Sequence, residues 1–229
     1  MDALSGVSLQ DRAAVIEETL VLADLHVGQA ATAVELPVGA GEAMAERLKT
    51  LTAAVDPTVV VVAGDLLHSF QGVPEGVSQT LGVLREVVHE ADAELIVIPG
   101  NHDTLLDAIW DGQTTPAYRI GETVVTHGHV DPEQPAERYV IGHDHPAITI
   151  EGNRRPCYLA GDAVYQDADV LMLPSFNELV AGVPVNNLTG GEFLSPLVTD
   201  PDAFAPVVRD DETDETLVFP PLDEFRHRL

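Results

Sequence analysis

The first half of the chain alternates short apolar runs with segments whose apolar residues recur at helical spacing. The runs Leu20–Ala23, Thr58–Ala63 and Leu95–Ile98 are rich in β-branched and aliphatic residues, which predicts buried strands. The segments Glu42–Ala54 and Val77–Glu90 place apolar residues three or four positions apart, which predicts helices. Strands that alternate with helices are joined by crossovers, so we expect parallel strands in this half.

The second half has a different texture, because glycine, proline and aspartate separate its short apolar runs. The acidic, turn-rich segment Thr199–Glu215 is predicted to be a surface loop that is partly mobile, and Pro220–Leu229 to end in a short helix. We expect one domain over residues 1–229, since single domains of about 200–250 residues are common. The strands predicted in this half are Thr123–Thr126, Tyr139–Ile141, Ala147–Ile150, Tyr158–Ala160 and Val170–Leu173.

The chain is strongly acidic for one that can build a hydrophobic core. Asp and Glu total 38 against 11 Lys and Arg, giving a formal net charge of −27, while 45% of the residues are hydrophobic. Such a charge repels itself unless salt screens it, and the screening length falls to about 3 Å at 1 M salt. We therefore predict an extreme halophile of archaeal origin, with an ordinary acidic protein as the alternative.

Composition also limits the class of protein. No apolar stretch approaches the roughly 18 residues of a membrane span, and the N-terminus lacks the basic and apolar regions of a signal peptide. Cys157 is the only cysteine, which excludes an internal disulfide and a thiolate metal cluster. A dense basic patch is missing, but nucleic acid stays open as a partner because its counterion contribution is weak in high salt. A cytoplasmic protein of undetermined oligomeric state is the simplest interpretation.

Five short polar motifs stand close to predicted strands and contain most of the histidines. Histidine, carboxylate and amide oxygen suit first-row divalent metals, and open α/β folds bind ligands on loops at the carboxyl ends of strands. His143 and His145 are two residues apart, so on an extended backbone they would face the same side. The motifs are Asp24-Leu25-His26, Gly64-Asp65-Leu66-Leu67-His68, Gly100-Asn101-His102-Asp103, His127-Gly128-His129 and Gly142-His143-Asp144-His145.

The order and spacing of these motifs resemble the calcineurin-like metallophosphoesterases. Their pattern is Asp-x-His, Gly-Asp-x-x-His or Asp, Gly-Asn-His-Asp or Glu, a later His, and Gly-His-x-His, and all five parts occur here in order. Gly64–His68 and the segment Leu173-Pro174-Ser175-Phe176-Asn177 look like the archaeal phosphoesterases related to the nuclease subunit SbcD. The resemblance implies a four-layer α/β sandwich (αββα) of two mixed sheets, with helices outside and a dimetal site at the strand C-terminal edge.

The resemblance also implies two divalent metal ions with Asp65 as the bridging ligand. Manganese is the first expectation, and iron, zinc, nickel or cobalt would fit the same donors. The structural alternatives for these residues are helix caps, turn residues and ordinary loop histidines. One ion would be held by Asp24, His26, Asp65 and His145, and the other by Asp65, Asn101, His127 and His143.

Four more residues receive roles from the resemblance. His102 is expected to be a general acid or a phosphate-orienting group, with Asp103 fixing its tautomer. His129 would contact the phosphate or support a metal ligand. His68 would orient a ligand or touch the substrate, with a buried structural histidine as the alternative.

The implied activity is hydrolysis of a phosphoester, foremost a phosphodiester, by a hydroxide that bridges the metals. The substrate stays open between DNA in a repair reaction and a nucleotide or cyclic nucleotide. A third hypothesis is a non-catalytic metal-binding interaction scaffold on the same fold, although every ligand position is filled here.

Overall fold

The computed structural model describes residues 1–29, 40–68 and 72–226. Within these ranges the helices are α1 Ala40–Val55, α2 Val77–Glu90, α3 Leu106–Ile109 and α4 Leu222–Arg226. The strands of the first half are β1 Val7–Gln10, β2 Ala13–Ile16, β3 Thr19–Leu22, β4 Val59–Ala63, β5 Glu94–Ile98 and β6 Gln113–Thr114. Those of the second half are β7 Tyr118–Ile120, β8 Thr123–Val125, β9 Arg138–Ile141, β10 Pro146–Ile150, β11 Asn153–Pro156, β12 Tyr158–Tyr165, β13 Ala168–Met172, β14 Val183–Pro184, β15 Ala205–Asp210 and β16 Glu215–Val218.

The first sheet runs in the order β1-β2-β3-β4-β5-β6. Strands β3 to β6 are parallel, as the strand–helix alternation predicts, with β4 connected to β5 through α2. The sequence did not predict the N-terminal β1–β2 hairpin, which pairs antiparallel onto β3. Its turn residues Asp11 and Arg12 have φ values of 39° and 65° instead of the usual glycine or asparagine signal.

The second sheet runs in the order β16-β15-β12-β13-β9-β8-β7. Its centre is parallel, since β13 pairs with β9 and β9 with β8 in the same direction, while the flanking pairs are antiparallel. A small third sheet, β11-β10-β14, lies beside it. The expectation of an α/β fold with mixed sheets is confirmed.

Three apolar clusters define the layers. Helices α1 and α2 cover one face of the first sheet, where Leu48 and Leu84 pack with Val62. The opposite face packs against the second sheet, with Val61 and Leu171 in one buried cluster. These layers place both sheets face to face, with helices outside the first one.

The outer layer of the second sheet is built from short elements, among them the helix α4. Side chains from the third sheet, from short 3-10 turns and from the five-residue α4 cover it, among them Ile148, Val185, Phe204 and Phe225. Short turns can form this layer because their aromatic side chains supply the apolar area that a longer helix would have provided.

The prediction that Thr199–Glu215 is a surface loop is wrong for the central part of this segment. Strand β15 lies there between β12 and β16, and its residues Ala205–Val208 are buried. The closing helix predicted within Pro220–Leu229 is present as α4, and residues 227–229 lie outside the described ranges. Among the helices that the structure describes, none has the length and apolarity needed to cross a membrane.

Candidate metal centre

All seven predicted ligands follow strands that run parallel to a neighbour. In the first sheet, Asp24 and His26 follow β3, Asp65 follows β4 and Asn101 follows β5. In the second sheet, His127 follows β8, while His143 and His145 follow β9. Because the carboxyl ends of parallel strands meet at one sheet edge, these side chains converge from both sheets.

Four of these side chains form the first cluster. The donor atoms of Asp24, His26, Asp65 and His145 all lie within 4.8 Å of one another. His145 Nε2 lies 3.1 Å from His26 Nε2 and 3.4 Å from Asp24 Oδ1. This is the set that the resemblance implies for one ion.

A second cluster shares Asp65 with the first. Donor atoms of Asp65, His127 and His143 lie within 4.8 Å of one another. His127 Nε2 is 3.6 Å from Asp65 Oδ2 and 3.0 Å from Asn101 Oδ1, so the amide oxygen faces the same point. Asp65 therefore occupies the position that a bridging carboxylate requires between two adjacent cations.

The sequence spacing predicted that His143 and His145 lie on one side of an extended backbone, but the backbone has another conformation. Their φ values are 78° and 48°, so the backbone after β9 is not extended. The two rings consequently belong to different clusters, His143 to the second and His145 to the first.

The burial of the two carboxylates fits divalent cations. Asp24 and Asp65 are 0% and 1% exposed, and buried charges in proteins are paired or coordinate metals. Asp24 Oδ1 is buried and accepts no hydrogen bond of good geometry from the described residues. A cation between the ring nitrogens and this oxygen would supply the missing partner, and imidazole with carboxylate is a donor set for first-row metals.

The protonation states favour cation binding by the imidazoles. Burial lowers the pKa of His26 to about 3 and that of His127 to about 4, so both rings are neutral at neutral pH. Burial, together with the charge of Asp24, raises the pKa of Asp65 to about 8. Burial also raises the pKa of Asp24, but the neighbouring rings of His145, His127 and His26 together outweigh it and the net shift is downward. A cation would compete with the proton that Asp65 retains.

Three glycines leave room for the ligands. A Cβ at Gly64 would lie 2.0 Å from the His127 ring, and one at Gly100 would lie 2.1 Å from Asp65 Oδ1. A Cβ at Gly142 would lie 2.5 Å from Asp24 Oδ2. The glycine in three of the motifs is therefore required by close approach of a ligand side chain.

Asp103 makes contacts that its predicted role did not include. Its carboxylate accepts hydrogen bonds from the backbone N–H groups of Leu66 (3.2 Å), Leu67 (2.7 Å) and Gly100 (2.8 Å). These bonds connect the loops after β4 and β5, which carry Asp65 and Asn101. Asp103 thus joins the backbones of these two loops, and its predicted effect on the His102 tautomer stays a prediction.

The remaining predicted histidines border the clusters. His102 Nε2 lies 3.9 Å from Asp65 Oδ2, and the side chain is 24% exposed. His68 stacks on His102 at a centroid distance of 5.5 Å, and its Nδ1 lies 3.4 Å from His26 Nδ1. The His129 ring lies 5.0 Å from the His127 ring. All three rings therefore lie next to residues of the clusters.

Sequence reasoning did not assign a role to Ser175 and Asn177. Both are buried and donate hydrogen bonds to backbone carbonyls of the Asp24–His26 loop. Their only signal in the sequence is the polar pair in Leu173-Pro174-Ser175-Phe176-Asn177, directly after β13.

Fold and site together define an α/β sandwich in which residues able to hold metal ions come from the strand ends of two facing sheets. Residues 18–194 match the family described as "Calcineurin-like phosphoesterase", and the chain belongs to this family. It is accordingly a metal-dependent phosphoesterase in the general sense, with a cluster able to hold the two metals on which the family depends.

Two solved structures are similar to the chain. The nuclease MPE of Pseudomonas putida has 24% sequence identity and a TM-score of 0.60, with 86% of this chain and 88% of that chain covered. The E. coli phosphoesterase Yfce has 17% identity and a TM-score of 0.45, with 89% and 98% covered. A search of curated proteins found no match. At these identities the first likeness shows the fold.

Proposed function

We propose that this protein hydrolyses phosphodiesters of nucleotide size with two divalent cations, manganese first among them. The observation that carries the proposal is the convergence of two clusters on one shared, buried carboxylate, Asp65. Bound cations at such a pair lower the pKa of a water molecule and neutralise charge on phosphoryl oxygens. The first ion would be held by Asp24, His26, Asp65 and His145, and the second by Asp65, Asn101, His127 and His143.

His102 supports the chemistry because its partly exposed ring lies beside Asp65, with Nε2 3.9 Å from Asp65 Oδ2. Its backbone N–H donates to Asp65 Oδ1 at 2.8 Å, which fixes the residue beside the shared ligand. The partly exposed ring can donate a proton to a leaving group or orient a phosphoryl oxygen. His68, stacked against it, restricts the orientation of that ring.

The distribution of positive charge favours a small diester over nucleic acid. Nucleic-acid affinity depends mainly on cations that face phosphates, but most of the cations described here already bind elsewhere in the protein. Lys49 pairs with Glu90, Arg85 with Asp111, and Arg209 with Asp211 and Asp214. Backbone carbonyl oxygens accept hydrogen bonds from Arg12, Arg47, Arg119, Arg138, Arg154 and Arg226.

DNA remains the second candidate substrate because the similar Pseudomonas putida structure is of a nuclease. A relation to SbcD and a place in DNA repair belong to this candidate. The high negative charge weakens it at moderate salt, because the protein repels a polyanion. Composition supports one domain that works in the cytoplasm of a halophilic archaeon.

A substrate panel tests the proposal. Chelator-treated protein reloaded with Mn²⁺ is compared on bis-p-nitrophenyl phosphate, p-nitrophenyl phosphate, 2′,3′-cyclic nucleotides, single-stranded DNA and duplex DNA. We expect turnover of the small diesters, less of the monoester and little of DNA at moderate salt, where the protein repels a polyanion. If the protein cleaved DNA faster than every small diester, DNA would replace the small diesters as the proposed substrate.

A variant separates chemistry from cation binding. His102→Ala should keep both cations and lose about 10²–10⁴-fold in turnover, which is the usual contribution of a general acid. His89→Ala, at an exposed position near the end of α2, is the matched control and should match the wild type. Unchanged turnover of His102→Ala would remove this role, and cation binding without turnover on the whole panel would favour the scaffold hypothesis.

A further inference from the structure

A three-residue segment after β13 is hydrogen-bonded to the loop that carries Asp24 and His26. Ser175 Oγ donates to Asp24 O at 2.7 Å, and Asn177 Nδ2 donates to Leu25 O at 2.9 Å and to His26 O at 3.4 Å. The Phe176 N–H donates to Ala23 O at 2.8 Å. Four consecutive carbonyl groups of the ligand loop thus face donors from one segment of the other sheet.

The ligand loop needs such support because its backbone is strained. Asp24 and His26 have φ values of 55° and 44°, in the left-handed region that residues other than glycine rarely adopt. Conformations of this kind persist only where the surrounding structure holds them. The donors on residues 175–177 provide that constraint from outside the loop.

Two arginines fix the supporting segment in turn. Arg47 Nη1 donates to Phe176 O at 2.8 Å, and its guanidinium lies 4.4 Å from the centroid of the Phe176 ring. Arg12 Nη1 lies 3.3 Å from both Ser175 O and Asn177 O. Asp11 binds Arg47 with both carboxylate oxygens, at 2.7 and 3.0 Å. The segment is therefore held by contacts other than those to the loop, so it can act as a fixed support.

The second cluster has separate supports. His127 is held by the contact of its Nδ1 with Ala63 O at 3.2 Å, and its carbonyl accepts the Gly142 N–H at 3.0 Å. Asp65 is held by the His102 N–H. None of these bonds involves residues 175–177, although the Asp24–His26 loop itself contacts the second cluster, because the His143 N–H donates to Asp24 Oδ2 at 3.0 Å and the His26 N–H donates to Asp65 O at 2.8 Å. Loss of the segment's donors should therefore act mainly on the first cluster.

We propose that Ser175 and Asn177 are positioning residues that set the cation affinity of the first cluster, Asp24, His26, Asp65 and His145, and affect the second cluster much less. The proposal rests on the dinuclear site proposed above. Groups that orient metal ligands from outside the coordination shell change metal affinity about 10–100-fold when they are removed.

The test uses Asn177→Leu, with Asn186→Leu as the matched control. Asn186 is also a buried asparagine that binds backbone with both ends of its amide, to Thr149 N–H at 2.8 Å and Thr149 O at 2.9 Å, within β10. Both variants remove two or more buried hydrogen bonds of the same kind. Only one of them acts on a ligand loop.

Mn²⁺ affinity and stoichiometry are measured by equilibrium dialysis and by electron paramagnetic resonance, which distinguishes a coupled Mn²⁺ pair from isolated ions. We expect two ions in the wild type and in Asn186→Leu. In Asn177→Leu one ion should change little in affinity and the other should bind at least about tenfold more weakly, with the spectrum of isolated Mn²⁺ at intermediate loading. Ser175→Ala, which removes one hydroxyl, should weaken Mn²⁺ binding at the same site. It replaces Asn177→Leu in the test if that variant does not fold.

Two intact sites in both Asn177→Leu and Ser175→Ala would overturn the proposal. Equal weakening of both cation sites in Asn177→Leu would overturn the claim that the segment acts mainly on the first cluster. The same loss of cation affinity in Asn186→Leu would also overturn it. A wild-type protein that binds no pair of ions would instead refute the dinuclear site, so the failure of each idea has its own result.

Discussion

Substitution of Gly100 by alanine tests whether both clusters depend on the position of one carboxylate. A Cβ at Gly100 would lie 2.1 Å from Asp65 Oδ1, 2.5 Å from Asp65 N and 2.8 Å from Asp65 Cγ. Side-chain rotation alone does not relieve this contact, because a backbone atom of Asp65 is also too close. Since real Cβ atoms stay beyond 3.0 Å, the two loops must separate by on the order of 1 Å.

A displacement of this size should affect function more than folding. Overpacking costs about 1–3 kcal/mol of unfolding free energy, whereas misplacing a group at a reacting centre by about 1 Å costs about 10²-fold in rate. Because Asp65 belongs to both clusters, Gly100→Ala should weaken both cations together. This pattern distinguishes it from Asn177→Leu, which should weaken mainly one.

The assay is kcat/KM on bis-p-nitrophenyl phosphate at saturating Mn²⁺, with ion stoichiometry by dialysis and stability by urea denaturation. Gly82→Ala is the matched control, because a Cβ there meets no heavy atom within 4 Å beyond its own helix. In a helix interior this change should stabilise the protein by about 0.5–1 kcal/mol and leave turnover unchanged. A Gly100→Ala protein with two tightly bound ions and wild-type turnover would refute the reasoning.

Three further predictions concern stability. In chelated protein, burial lowers the pKa of His26 to about 3 and of His127 to about 4, so acid favours the unfolded state, which takes up these protons below about pH 6.5. Burial raises the pKa of Asp65 to about 8, which acts in the opposite sense because the folded state then retains a proton that the unfolded state loses. The free energy of unfolding, measured by urea denaturation, should therefore rise up to about pH 6.5 and fall between about pH 6.5 and about pH 8. Asp65→Asn should reduce that fall, and a wild-type stability that continues to rise above about pH 6.5 would contradict the prediction. Phe204→Ala should cost about 3–5 kcal/mol because Phe204 is fully buried beside β15, and a loss within about 0.5 kcal/mol, as at an exposed site, would place it outside the core. With a net charge of −27, the melting temperature should rise as KCl increases from about 0.1 M to about 1 M, where the screening length drops from about 10 Å to about 3 Å, and a constant temperature would count against adaptation to salt.

The sequence predicted those parts of the fold whose local pattern agrees with their tertiary environment. Strand β4 and helix α2 are apolar at the expected period, and both occur close to the predicted bounds. Strand β15 was missed because acidic residues flank a short apolar run and Pro206 interrupts it, which argues against a central strand. Pairing on both sides with β12 and β16 overrides that local signal.

The residues of the site also differ in how far the local sequence predicts them. The types and order of the seven predicted ligands are local information, and all of them converge. The contacts of Asp103 and the role of Asn177 depend on which loops meet across the sheet edge. Asn177 lies 151 residues after His26, and no periodicity links the two positions. A polar residue after a parallel strand is therefore a usable signal for a supporting group, even when it is not itself a ligand.

Backbone strain explains why supporting residues must come from distant parts of the chain. Positive φ values occur at Asp24, His26, Asp65, His143 and His145. Each such residue costs on the order of 1–3 kcal/mol, so together they approach the whole net stability of an ordinary domain, about 5–15 kcal/mol. Loops of this kind do not hold their own shape. Hydrogen bonds donated by Ser175 and Asn177 keep the Asp24–His26 loop in place, and the Asp103 carboxylate, which accepts the Leu67 N–H, does so for the loop after Asp65. The five motifs identify the chemistry of the centre. Its geometry also depends on residues that are not predicted ligands, namely Ser175 and Asn177 outside the motifs and Asp103 within one of them.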